Sequence, residues 1–193
     1  MTILKKLVIL DRDGVVNYDS KEFIKSPDEW IPIPGSLEAI ARLNHAGYYV
    51  VIASNQSAIG RGLCNIDTLN AIHEKMHRAL ELIGGRIDAI FFCPHTSTDH
   101  CNCRKPKPGL FMQISQRFRI NPTSILVVGD SRHDMQAAAA VGCSRYLVLT
   151  GNGYKTLGSG DLPVGTTVYS DLNTFSLDCF TTAADRDGIS HAT

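Results

Sequence analysis

The chain has 193 residues, zero formal net charge, 44% hydrophobic and 20% charged residues, as expected of one soluble globular domain. A neutral balance supplies no chain-wide field for nucleic acid or an acidic membrane, and no apolar run approaches the roughly 20 residues of a membrane span. The opening residues lack a signal-like apolar core and six cysteines are few for a disulfide framework, so a cytoplasmic protein is expected, its cysteines thiols or metal ligands. One domain over 1–193 is expected, with a core from about 3 to 182 and a polar, disordered tail from about 183 to 193.

In chain order, Leu7 to Leu10 is apolar on both faces, which predicts a buried parallel strand ending at Asp11 and Asp13. Residues 15–34, with Pro27, Pro32 and Pro34, predict an excursion near that strand end. Leu37, Ile40, Ala41 and Leu43 share a helical stripe closed by Gly47, so 36–47 predicts a helix and 48–53 a second strand. Leu69, Ile72, Met76, Leu80 and Ile83 keep helical spacing over 66–84. His73 and His77, four apart on that helix, read as packed or solvated side chains rather than a metal pair. Strands follow at 89–92, 125–128 and 146–149, with helices at 109–118 and at 135–141, the latter alanine-rich and stopped by Gly142. Past Gly151, glycines and Pro163 predict loops with a short strand near 167–169. The alternation predicts an α/β fold, a doubly wound parallel sheet with helices on both faces.

Polar residues sit where such a sheet gathers its strand ends into one crevice: Asp11, Ser54, Cys93 and Gly129-Asp130. Asp11 and Asp13, if the chain stays extended, point the same way and repel unless a cation or a proton lies between them. Mg²⁺, commonly held by one or two carboxylates plus substrate phosphate, resolves that conflict. Ser54-Asn55-Gln56-Ser57 offers a hydroxyl and backbone N–H groups to phosphate oxygens. Asp130 is placed to complete a metal site with Asp11, whereas Asp134, in the first turn of the next helix, complements its dipole or braces a ligand. Within Arg104-Lys105-Pro106-Lys107-Pro108, Lys105 suits a phosphate-neutralising point charge, and the forked donors of Arg104 suit a phosphate or sugar hydroxyls.

Cys93, His95, Cys101 and Cys103 read C-x-H-x5-C-x-C, three thiolates and an imidazole, enough for a closed, structural Zn²⁺ site. His100 rivals His95, which is preferred because C-x-H at the strand end mirrors C-x-C across the loop. A redox pair fits less well, since C-x-x-C is the commoner spacing and the histidine goes unexplained. The zinc would order the loop that carries Arg104 and Lys105. Cys64, Cys143 and Cys179 read as small buried residues.

Asp11-Arg12-Asp13-Gly14-Val15, Ser54-Asn55-Gln56-Ser57, Lys105 and Gly129-Asp130 resemble, in order, the four signature motifs of the haloacid dehalogenase (HAD) phosphatase superfamily. The resemblance spans roughly residues 7–155. The zinc loop running into Arg-Lys-Pro-x-Pro-Gly resembles capless members that act on a sugar bisphosphate, with histidinol-phosphatase a close cousin. Val15 stands where many relatives have threonine, and Ser131 where some have lysine. The resemblance implies that Asp11 attacks phosphorus and that Asp13 protonates the leaving oxygen, then activates water, with Ser54 and Lys105 around the phosphoryl oxygens. It implies Mg²⁺ held by Asp11, the backbone carbonyl of Asp13 and Asp130. Implied substrate contacts are Arg12, Asp19, Ser20, Lys21, Glu22, Asn55, Gln56, Ser57, Arg104 and Ser131. The implied partner is a small sugar bisphosphate, with no nucleic acid, no membrane and a monomeric protein.

Two other readings are weighed beside it: histidinol-phosphatase, and, in a different class, a non-catalytic zinc-loop module binding nucleic acid through residues 104–107. Dinucleotide binding through Gly151-x-Gly153 fails because position 156 is threonine, not glycine.

Overall fold

Leu7, Val8, Ile9 and Leu10 have no exposed surface in the computed structural model, which describes residues 6–179. They belong to β1 (Lys6–Leu10), which pairs in parallel with β2 (Tyr48–Asn55) on one side and β4 (Ile125–Gly129) on the other. Because side chains alternate along a strand, Val8 and Leu10 enter one core cluster while Leu7 and Ile9 enter a second. The first cluster lies under α1 (Ser36–His45) and α3 (Ile66–Glu81), through Ile40, Leu43, Ile72, Met76 and Leu80. The second lies under α4 (Gly109–Phe118) and α5 (Arg132–Val141), through Leu110, Phe111, Ile114, Ala137 and Ala138. This is the doubly wound arrangement, and the absence of alternation in β1 follows from burial on both faces.

With β3 (Ala89–Cys93), β5 (Ser144–Val148) and β6 (Thr166–Tyr169) the sheet has six strands, all parallel, in the order β3-β2-β1-β4-β5-β6. The chain leaves β1 toward one edge and returns at β4 toward the other, so the crevice between β1 and β4 opens at their carboxyl ends.

The expected elements all form, with shifted boundaries. The third helix stops at Glu81 rather than 84, and α5 starts at Arg132 rather than Met135. Its start is set by Ser131, whose hydroxyl accepts from the Asp134 N–H while the Asp134 carboxylate accepts from the Ser131 N–H. Among the described residues three α-helices were not expected: the one-turn α2 (Ser57–Gly60), α6 (Gly153–Gly158) and a helix over residues 172–179. The first two are too short to carry a periodic stripe. The last is docked by packing, with Phe175 4.8 Å from Tyr146 and 5.5 Å from Tyr169 between ring centres. The ends of the expected core and the expected tail lie outside the described residues. No helix among the described residues is long and apolar enough to cross a membrane.

Candidate active site

At the mouth of the crevice a cleft of about 280 Å³ is lined by Asp11, Asp13, Ser54, Arg104, Asp130 and Asn152, among others. The chain does not stay extended past Asp11. The Arg12 carbonyl accepts from the N–H groups of Val15, Val16 and Asn17, and Gly14 turns at φ 84°. A Cβ on Gly14 would lie 2.2 Å from Asp130 Oδ2, so this position requires glycine for space as well as for its backbone. The turn gives Asp11 and Asp13 separate partners.

Asp11 faces Lys105. The lysine is buried, with Nζ 3.0 Å from Asp11 Oδ1, 2.5 Å from Asp134 Oδ1 and donating to the Ala53 carbonyl at 2.7 Å. Burial raises Asp11 well above the usual carboxylate range, Lys105 lowers it in part, and Asp134, Asp130 and Asp13 raise it again. Although burial opposes its charge, the two carboxylates hold Lys105 protonated.

Asp13 is held by four donors. Arg12 Nε and Nη2 reach it at 3.0 and 2.9 Å, Asn17 Nδ2 at 2.8 Å and Gln56 Nε2 at 2.9 Å. Burial alone would raise Asp13, but the Arg12 charge and these hydrogen bonds bring it below its ordinary value. The excursion makes this possible: Asn17 is fixed by Trp30 Nε1 at 3.0 Å, and Lys75 of α3 donates to the carbonyls of Pro27 and Trp30. Gln56 also donates to Ser54 Oγ at 2.8 Å, joining Asp13 to the hydroxyl at the end of β2.

One oxygen each from Asp11, Asp130 and Asp134 lie within 4.8 Å of one another. Burial and the neighbouring Asp134 push Asp130 up to about 7, a repulsion that a cation or a proton relieves. The donor set suits a hard divalent cation. Asp13 contributes no side-chain oxygen to this cluster. Asp134 does approach it, but its two oxygens already accept from Lys105 Nζ and from the N–H and Oγ of Ser131, which suits a brace better than a ligand.

Several expected contacts sit elsewhere. Arg12, expected to touch substrate, is fully buried with its guanidinium turned to Asp13 and Gln56, so it can act on a ligand only through them. The side-chain amide of Asn55 both donates to the Lys105 carbonyl and accepts from its N–H, each at 3.1 Å; it anchors the lysine while lining the cleft. Ser131 lines the cleft and caps α5. Asp19 and Ser20 line the cleft with Phe23 and Ile24, whereas Lys21 and Glu22 are exposed and outside its lining. Asn17, Trp30 and Asn152 were not foreseen. Only the glycines flanking Asn152 hinted at a tight turn.

Beside the cleft, Cys93 Sγ, His95 Nδ1, Cys101 Sγ and Cys103 Sγ converge. Five of the six spacings run from 3.1 Å (Cys93–Cys103) to 3.6 Å (Cys93–Cys101), and all four atoms lie within 4.8 Å of one another. A tetrahedron with bonds of about 2.3 Å to sulfur needs spacings of roughly 3.5–3.8 Å, so the set fits a metal with small adjustment. His95 takes the place in this cluster, and His100, at φ 49°, does not. Arg104 Nη1 donates to the His95 carbonyl at 3.2 Å and Lys107 Nζ to the Cys101 carbonyl at 2.8 Å. The basic run is therefore folded into the loop and the site rather than laid out as a strip. Of the other cysteines, Cys143 is buried as expected, while Cys64 and Cys179 are half-buried.

A parallel sheet with an aspartate cluster at its switch point, a lysine bonded to two of those aspartates and a hydroxyl nearby defines a hydrolase that works on an anionic group. Residues 5–142 match the haloacid dehalogenase-like hydrolase family, and the chain belongs to it. A relative from Bordetella bronchiseptica, a D-glycero-beta-D-manno-heptose-1,7-bisphosphate 7-phosphatase, is 59% identical over 167 residues, 86% of this chain and 93% of its own length. A Neisseria meningitidis protein of the same name is 51% identical over 89% of this chain and 92% of its own. The crystal structure of the B. bronchiseptica D,D-heptose 1,7-bisphosphate phosphatase, complexed with magnesium and phosphate, superposes with a TM-score of 0.91 at 56% identity, covering 92% of this chain and 99% of that one. With relatives at this identity, the chain is a phosphatase.

Proposed function

We propose that the protein removes the 7-phosphate of D-glycero-β-D-manno-heptose 1,7-bisphosphate, a step toward the heptose of lipopolysaccharide. The carrying observation is that Asp11, Asp13, Ser54 and Asp130 line one cleft, with buried Lys105 bonded to Asp11 behind it. The names of the relatives support the substrate. Asp11 attacks phosphorus; the sugar oxygen leaves with a proton from Asp13, and an aspartyl-phosphate remains on Asp11. Asp13, now a carboxylate, takes a proton from water as that water attacks phosphorus, which regenerates Asp11 and releases inorganic phosphate. The low resting value of Asp13 suits the second half. The first half needs a proton that the arriving phosphate dianion favours, because a nearby negative charge raises a carboxyl group.

Ser54 lines the cleft where the phosphoryl oxygens would lie, a preorganised donor of this kind being worth about 10²–10³ in rate, and Lys105 adds its positive charge from behind Asp11. Mg²⁺ would be held by Asp11, Asp130 and the carbonyl of Asp13, and would supply positive charge against the transferring group. Zn²⁺ would be held by Cys93, His95, Cys101 and Cys103, fixing the loop from which Arg104 reaches the cleft. Asp19, Ser20 and Arg104, which line the cleft, would bind the sugar bisphosphate, and the excursion with the zinc loop would take the place of a cap in one monomeric domain.

The test is phosphate release, with and without Mg²⁺, from the β- and α-heptose 1,7-bisphosphates and from histidinol phosphate. A kcat/KM preference of tenfold or more for the β-bisphosphate is expected. Preference for histidinol phosphate would transfer the same residues to that substrate, and Mg²⁺-independent turnover would refute the metal assignment.

A further inference from the structure

The segment Thr150-Gly151-Asn152-Gly153, to which no role above is assigned, runs against the carboxylates of the site. Thr150 Oγ1 donates to the Gly14 carbonyl at 2.6 Å, the Asn152 N–H to Asp130 Oδ2 at 2.7 Å and Thr156 Oγ1 to the Asp130 carbonyl at 2.9 Å. Gly151 has φ +55°, and a Cβ there would lie 2.2 Å from Asp130 Oδ2 and 2.6 Å from Gly14 Cα. The backbone is thus pressed onto the first and fourth strand ends together. The Asn152 side chain lines the cleft, and its Nδ2 lies 3.0 Å from Asp19 Oδ2 and 3.3 Å from Asp130 Oδ2. A single side-chain amide therefore sits between two carboxyl groups, one from the excursion and one from the end of β4, and it ties Asp19 to the strand ends.

We infer that Asn152 is a positioning residue that sets substrate specificity: its amide holds Asp19, and the excursion with it, in register with Asp130. The inference rests on the phosphatase reading above. Register of the excursion matters to a substrate that fills the cleft with a sugar, and little to an aryl phosphate that presents only its phosphoryl group.

The test is Asn152→Ala assayed on D-glycero-β-D-manno-heptose 1,7-bisphosphate and on p-nitrophenyl phosphate. Asn152 is exposed, so the truncation removes no core packing, and the backbone N–H to Asp130 remains. Loss of one hydrogen bond to a charged group predicts a kcat/KM loss on the bisphosphate about tenfold greater than on the aryl phosphate, carried mainly by KM. In an Asp19→Ala background the same truncation should add less than about twofold, since residues acting as one unit are not additive. Asn152→Asp, which places a third carboxylate there, should raise KM for the bisphosphate further. Equal losses on both compounds, an unchanged KM, or fully multiplicative effects of the two substitutions would each overturn the inference. A wild-type protein that cleaves p-nitrophenyl phosphate but not the bisphosphate refutes the proposed substrate, and the inference falls with it before any variant is made.

Discussion

Replacing Lys105 with methionine should destabilise the metal-free protein strongly at alkaline pH and less so in mild acid. The lysine is 2% exposed and is the cation between Asp11, at 3.0 Å, and Asp134, at 2.5 Å. Methionine keeps most of the volume and removes the charge, so two buried carboxylates lose their counter-charge. Breaking a buried pair in this way costs about 3–5 kcal/mol. For a protein of this size that is a fall in Tm of roughly 6–20 °C. Burial already raises Asp11, and loss of the lysine raises it further, because the charge that lowers it is gone. A carboxyl group raised in the folded state binds a proton there more readily than in the unfolded chain, so the variant regains stability as pH falls toward its folded value. The assay is urea unfolding in a chelating buffer at pH 8 and pH 5.5, wild type beside Lys105→Met. The expected gap is about 3–5 kcal/mol at pH 8 and clearly smaller at pH 5.5. A variant within about 1 kcal/mol of wild type at pH 8, or a gap that widens in acid, would refute the reasoning.

Asp11→Asn should abolish phosphate release while leaving near-ultraviolet circular dichroism unchanged, and near-normal turnover in a preparation free of wild type would remove the nucleophile assignment. A zinc chelator should accelerate amide exchange over residues 93–108 while Mg²⁺-dependent turnover is reduced but not abolished; unchanged protection of that loop would argue against the metal. His73 supplies a pH effect of the opposite sign to Lys105→Met. Burial and the Arg12 charge lower its imidazole to about 4, against about 6.5 when unfolded. The folded state therefore resists a proton that the unfolded chain accepts, and this stability is complete above 6.5 and lost as pH falls toward 4. Between pH 7 and pH 5 the wild type should lose about 2 kcal/mol more than His73→Met, measured by urea unfolding, and equal losses would refute the assignment.

The candidate site residues were legible because strand ends and short spacings are local facts. Leu7 to Leu10 could only be a strand buried on both faces, and that placed Asp11 at its carboxyl end. Three cysteines and a histidine within eleven residues left few arrangements, and the four side chains do meet. The choice between His95 and His100 rested on symmetry of spacing alone, and the loop's backbone decided it.

What the sequence could not settle is which partner each side chain takes, because partners come from distant segments. Arg12 sits in the middle of the first motif and reads as a ligand-binding cation. Only the fold buries it and brings Gln56, 44 residues away, onto the same carboxylate. Asn55 looks like a phosphate contact until the Cys/His loop is seen to place the Lys105 backbone against its amide. Asn152 lies past the last motif in a glycine-rich turn without periodicity, and its place beside Asp19 and Asp130 depends on β5 lying next to β4. The sequence by itself therefore determined the strands and the candidate reacting and metal-ligating side chains, since these depend on burial pattern and donor chemistry along the chain. The tertiary structure alone decided which aspartates lie together, which are braced by Lys105 or Arg12, and what holds the excursion over the cleft, because those depend on distances between strand ends that no local pattern encodes.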